Sequence, residues 1–442
     1  MASCYRPRQF DASPLFRIVH KHFDEFREQY HLHYSEKFGQ LREIITHTVN
    51  RFLLCGDPRE GIARYECKSC GESVFVPFSC KTRLFCPSCH EKKILLWIDE
   101  IQSRLLIDVP HRFWTFSVPK RLRYYFLRNR KLLGLMVTAA NNTIVKAMSE
   151  GTFKKWERPG IIALIQTHSG SLDWNAHLHL LVTDGVVNYS NPAKPKFKRC
   201  TYWDIKTMTE LFRFELIELM FKANVLTKEI ADNLLTWKHS GFHVHASEPF
   251  LPDDGDKLQN RLAYAFRPAV ALGKLSFDGE TVVCQTKKNK LTLTPTEFLA
   301  KLTLHIPDRY QNIRRYAGFY APNVQYMVRK ALKDNTSPLS LDMRKPIKPK
   351  WAVLIAKIFR DMPTICPQCG TAMDLKEFIL DEKLILKALP GAARAPPKKQ
   401  FEPYSVANNA ISYALFDDKT AGDDEGFDQT REYNDDFFNQ DV

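Results

Sequence analysis

Residues 161–185 read "IIALIQTHSGSLDWNAHLHLLVTDG", two apolar runs joined by a short polar turn. The turn is too tight for a crossover helix, so the runs predict neighbouring antiparallel strands. Side chains alternate faces along a strand, which puts His177, His179, Leu181 and Thr183 on one side and Leu178, Leu180 and Val182 on the other. Two imidazoles roughly 7 Å apart on one face can close on a single ion, although the same pattern fits the inward face of an ordinary core strand. Gln166, on the first run, would lie opposite the histidines and could supply a third ligand; His168 competes for that place. Two imidazoles and an amide oxygen suit an octahedral divalent ion that keeps positions open for a phosphate.

Outward from this hairpin, strand-like "HRFWTFSV" alternates with helical "TMTELFRFELIELMFKANVL". That mixture predicts an α+β domain with a largely antiparallel central sheet flanked by helices. The chain opens on helices: Ser13 can cap a first one, with Pro14 in its first turn and Leu15, Val19, Phe23 and Phe26 at helical spacing. A second carries Ile45, Val49 and Phe52 and stops at Gly56. With 442 residues, 44% of them hydrophobic, the chain can bury a sizeable core in two or three units. No apolar run is long enough to span a membrane, and "MASCYRPRQF" has no apolar signal core, so the expected location is the cytoplasm. The net charge is +14, but the last 26 residues hold ten acids and two bases, leaving the remainder near +22. A body that basic points to a polyanionic partner, most simply nucleic acid.

In a reducing compartment the eleven cysteines are expected as metal ligands or buried thiols. Cys67 and Cys70, then Cys86 and Cys89 after fifteen intervening residues, match the spacing of a four-cysteine zinc ribbon. Cys80 and His90 lie close enough to replace one of the four. Cys366 and Cys369 form another C-x2-C with no following pair, which fits either a half-knuckle completed from a distance or plain packing.

The form His177-Leu178-His179 is that of the HUH endonucleases. Together with "PHRFWTFSVPKRLR", "AYAFRPAVALGKLSFDG", "LTPTEFLAKLTLHIPD" and "RRYAGFYAP" behind a zinc ribbon, the chain resembles the rolling-circle transposases of the insertion sequence 91 family over roughly residues 10–380. The resemblance implies a nuclease fold over 105–335, preceded by a helical region (1–58) and a ribbon (59–95), and followed by a C-x2-C segment (345–400) and an acidic disordered tail (415–442). It implies that a tyrosine attacks single-stranded DNA with Mg²⁺ or Mn²⁺ at the histidines, leaving a 5′-phosphotyrosine, while Zn²⁺ has a structural role. The tyrosine is expected to be Tyr264, in "DKLQNRLAYAFRP". Founding members carry a second tyrosine one turn earlier, where this chain has Asn260, so it looks like the single-tyrosine branch. Arg112, Arg267, Arg314 and Arg315 are expected DNA contacts; Trp174, Phe319 and Tyr320 fit either base stacking or core. His243 and His245 repeat the histidine spacing, without the neighbours of the metal strand. A plasmid replication initiator or relaxase would share the chemistry, and a zinc-ribbon DNA-binding protein with a decayed nuclease would share the fold.

Overall fold

The computed structural model describes residues 3–4, 10–148, 155–200, 203–237, 240–252, 255–285, 290–332, 361–362 and 365–402. The first part of the C-x2-C segment expected over 345–400 and the acidic tail expected over 415–442 lie outside them. Helix α1 (Pro14–His33) starts where the sequence predicts, with the Ser13 hydroxyl accepting from Phe16 N at 3.2 Å. It buries Leu15, Val19, Phe23 and Phe26, and α2 (Glu43–Leu53) buries Ile45, Val49 and Phe52. The ribbon follows as a hairpin of β1 (Ile62–Cys67) and β2 (Ser73–Pro77), leading into α3 (Pro87–Arg104), whose N-cap is Cys86.

The central sheet uses β3 (His111–Ser117), β4 (Gly160–His168), β5 (Trp174–Thr183), β6 (His243–Ala246) and β7 (Arg314–Gly318) in the order β6-β3-β5-β4-β7, every pair antiparallel. Between β3 and β4 runs α4 (Leu133–Met148), between β5 and β6 runs α5 (Ile205–Lys222), and between β6 and β7 lies α6 (Gly255–Ala265). On one face Phe116, Leu178 and Leu180 are fully buried, and the Phe116 ring meets Phe212 of α5 edge-on at 4.9 Å. Burial of each such side chain stabilises the fold by roughly 1.5–3 kcal/mol, so this apolar face fixes the sheet's register. The register in turn sets what the other face presents, because a slip of one residue would turn every side chain over.

The C-terminal segment is not a separate appendage. Its strand β8 (Met373–Ile379) pairs antiparallel with β1, placing Met373 opposite Cys67 and making the ribbon a three-stranded sheet. No helix among the described residues is long and apolar enough to cross a membrane.

Candidate active site

The β4–β5 register sets Gln166 directly opposite His177, and Leu164 opposite His179. The Gln166 Oε1 atom lies 2.7 Å from His177 Nε2 and 3.2 Å from His179 Nε2, and the two rings are 5.0 Å apart. Proton placement can be worked out from the partners. His177 Nδ1 lies 2.7 Å from the Asn175 carbonyl, which can only accept, so Nδ1 carries the proton. Burial lowers the His177 pKa below its ordinary value and pushes that of His179 down to about 3, keeping both rings neutral. His177 Nε2 therefore faces Gln166 Oε1 with a lone pair, a contact that two acceptors hold only with a cation between them or with the amide turned to donate. His179 Nδ1 is 3.3 Å from the Thr115 hydroxyl of β3, which leaves its Nε2 turned toward the same point. Two neutral imidazoles and an amide oxygen fit a divalent cation.

His168, the competing residue, is displaced by a bulge in β4 and pairs with Trp174. Its Nε2 lies 3.1 Å from the Arg267 carbonyl and 3.2 Å from Gln166 Nε2, so it ties the chain just beyond α6 to the amide group of Gln166. Helix α6 lies over the histidine face, burying Leu258, Leu262 and Ala265. Tyr264 remains 49% exposed, with its ring 6.4 Å from that of His179 and the Arg267 guanidinium 4.5 Å above it. Asn260, one turn earlier on α6, is exposed. Past the helix, Phe266 packs on Trp97 and His90 of α3, and His90 Nε2 donates to the Phe266 carbonyl at 2.7 Å.

The expected arginines divide. Arg314 pairs with Leu164, on the histidine face, and lies over the Trp97 and Phe266 rings. Arg315 is one residue out of phase and so faces the other side of the sheet. Arg112 does not fit its expected role as a DNA contact. It shares the face of Trp114 and Phe116, donates through Nε to the fully buried carboxylate of Asp184 and through a terminal nitrogen to the Ser247 carbonyl, and is thereby occupied inside the fold. Phe319 and Tyr320 are core, the Tyr320 hydroxyl bonding His111 Nε2 at 2.7 Å. Trp174 packs on the His305 ring and on the Arg130 guanidinium. His243 and His245 are exposed on edge strand β6, opposite Ser117 and Thr115, in the same cross-strand rows as His177 and His179.

The cysteine set is corrected. Cys67 and Cys70 do not meet Cys86 and Cys89; two separate groups form, Cys55, Cys80, Cys86 and Cys89, and Cys67, Cys70, Cys366 and Cys369. The hairpin directs the first knuckle toward β8, while Cys86, at the start of α3, points toward the end of α2. The Thr371 hydroxyl pulls the Cys67 thiol down to about 6 and thiol hydrogen bonds led by Cys55 lower Cys89, while neighbouring thiols raise Cys70 and Cys86, and burial with neighbouring thiols raises Cys80.

Family models for a "Transposase zinc-binding domain" and a "Putative transposase" match residues 18–118 and 160–326. A "Transposase for insertion sequence element IS801" from Pseudomonas savastanoi pv. phaseolicola is 29% identical over 366 residues, covering 76% of this chain and 84% of that protein. The chain belongs to the insertion sequence 91 family of transposases. Its similarity to "Putative transposase y4qJ" of Sinorhizobium fredii is 21% over 320 residues, 67% of this chain and 78% of that one. No solved structure matches. Of the two segments matched to the family, the second runs from β4 into the helix after β7 and contains Gln166, His177, His179, Tyr264 and Arg267. The first contains six of the eight clustered cysteines; Cys366 and Cys369 lie beyond both. Sequence reading missed Cys55, whose helical "FLLCG" context gives no knuckle signal, and Thr115, whose place beside His179 follows only from the β3–β5 register.

Proposed function

We propose that the chain nicks and rejoins single-stranded DNA at the ends of an insertion element through a 5′-phosphotyrosine on Tyr264, by a one-tyrosine scheme in the cytoplasm. The observation that carries this reading is the convergence of His177 Nε2, His179 Nε2 and Gln166 Oε1 at one point on the sheet face beneath Tyr264. A phenol is a weak nucleophile at its ordinary pKa of about 10 and needs a nearby positive charge. Mg²⁺ or Mn²⁺ held by these three atoms would supply it and would polarise the scissile phosphate.

The chain's own residues do the rest. The Tyr264 oxygen attacks phosphorus, the bond from phosphorus to the 3′-oxygen breaks, and that oxygen leaves with a proton as a 3′-hydroxyl. The link keeps the phosphodiester's energy, so a 3′-hydroxyl attacking the same phosphorus restores the strand and frees the tyrosine. Arg267, above the Tyr264 ring, binds a non-bridging phosphate oxygen. Thr115 and the Asn175 carbonyl hold the imidazoles in the tautomers that face the ligand point. Arg314 lies on the same face and serves the strand's backbone farther along. The test is incubation with end-labelled single-stranded element termini and Mg²⁺ or Mn²⁺. A protein-linked DNA band on a denaturing gel supports the reading; free 5′-phosphate products with no linked band at any time contradict it.

A further inference from the structure

Eight cysteines contributed by five different places in the chain sort into two tetrads, each with all four sulfurs within 4.8 Å of one another. Nearest sulfur separations are 3.5–3.8 Å in the group at Cys55 and 3.4–3.6 Å in the group at Cys67. Zn–S bonds of about 2.3 Å at tetrahedral angles set sulfurs about 3.8 Å apart, whereas a disulfide brings them to about 2.05 Å. Both groups have the spacing of thiolates around one ion.

We propose that the chain holds two structural zinc ions, and that the second, on Cys67, Cys70, Cys366 and Cys369, clasps the C-terminal segment onto the ribbon. Local backbone geometry carries this independently of the sulfur distances. The two C-x2-C turns, "CKSCGE" and "CPQCGT", fold alike. Gly71 and Gly370 sit at φ 77° and 73°, in the left-handed region. The Gly71 amide donates to the Cys67 carbonyl and that of Gly370 to the Cys366 carbonyl, at 2.9 and 3.0 Å. The Cys67 amide donates to the Glu72 carbonyl and that of Cys366 to the Thr371 carbonyl, each at 2.8 Å. Two matched knuckles facing each other are what one tetrahedral ion requires, and the β1–β8 pairing brings them together across 296 residues of sequence. The other tetrad is built differently, from the end of α2, the loop at Cys80 and the first turn of α3, and all four of its cysteines are buried. Cys70 and Cys369 of the clasp are exposed.

That difference makes the two ions separable in the full-length protein. Elemental analysis should give two zinc per chain, and one in both C366S/C369S and C67S/C70S. Amide exchange in these unclasped variants should rise in Met373–Ile379 while the central sheet keeps its protection. Parent protein treated briefly with a chelator should lose one zinc, after which an alkylating reagent should label Cys70 and Cys369 before Cys86 and Cys89. One zinc in the parent, parental zinc content in C366S/C369S, or complete zinc loss in C67S/C70S alone would overturn the proposal. So would labelling of Cys86 and Cys89 with the first ion released, a result that stands even if a variant fails to fold.

Discussion

Replacing Arg112 by Met separates an internal ion pair from a DNA contact. Asp184 is fully buried and accepts from Arg112 Nε, from Arg199 Nε at 3.3 Å and from Trp203 Nε1 at 3.2 Å. The Arg112 side chain is 16% exposed and that of Arg199 53%. The exposed partner is worth about 0–1 kcal/mol, so most of the compensation of the buried charge comes from Arg112. Removing one partner of a buried pair costs roughly 3–5 kcal/mol, against a total stability of about 5–15 kcal/mol for a folded domain. R112M should therefore lower stability in a urea titration by about 3–5 kcal/mol, and the double variant R112M/D184L should recover much of that loss, because the charge left behind is gone. In the same samples, the dependence of single-stranded DNA affinity on salt should keep its slope, whereas losing a phosphate contact would flatten it by about 0.7. A variant of parental stability with a flatter salt dependence would refute the structural role and restore Arg112 to the DNA surface.

Three further outcomes follow from the geometry. H177A/H179A should abolish metal-dependent cleavage while far-ultraviolet dichroism stays unchanged; cleavage at even a tenth of the parental rate would remove the histidines from the site. G160A should destabilise the fold by about 1–3 kcal/mol, since a Cβ there would lie 2.6 Å from the buried Tyr320 ring; a parental unfolding midpoint would contradict this. Acid should loosen the fold through His111 and His305, both held neutral by burial, with His111 pushed down to about 4. A lowered folded pKa means that the unfolded chain binds the extra proton. Stability from these groups is thus complete above the ordinary 6.5 and is lost as pH falls toward about 4. A thermal midpoint that is flat across that window would contradict it.

Much of the candidate site was legible because it is local. Gln166, His177 and His179 lie on one hairpin, and the turn length together with strand alternation places them on one face without knowledge of the rest of the chain. Tyr264 was likewise placed from one local segment, "DKLQNRLAYAFRP", through the family resemblance, and most of that segment lies in α6. Arg112 was misjudged because its strand's phase against β5 is set by a pairing across more than sixty residues, and only that pairing reveals Asp184 beside it. The cysteine grouping failed for the same reason: spacing reports which thiols share a turn, and cannot report which turns meet. Cys67 and Cys70 find Cys366 and Cys369 through the β1–β8 pairing, and Cys55 joins the other group at the end of α2, where Phe52 meets Phe85 edge-on just before α3.

The proposed chemistry requires Tyr264 to be the residue that takes the DNA. Protein incubated with single-stranded element ends, digested with protease and nuclease, and sequenced by mass spectrometry should yield a nucleotide on the peptide containing Tyr264, and Y264F should yield no covalent adduct at all. A nucleotide on another tyrosine, or an adduct of parental yield in Y264F, would contradict it.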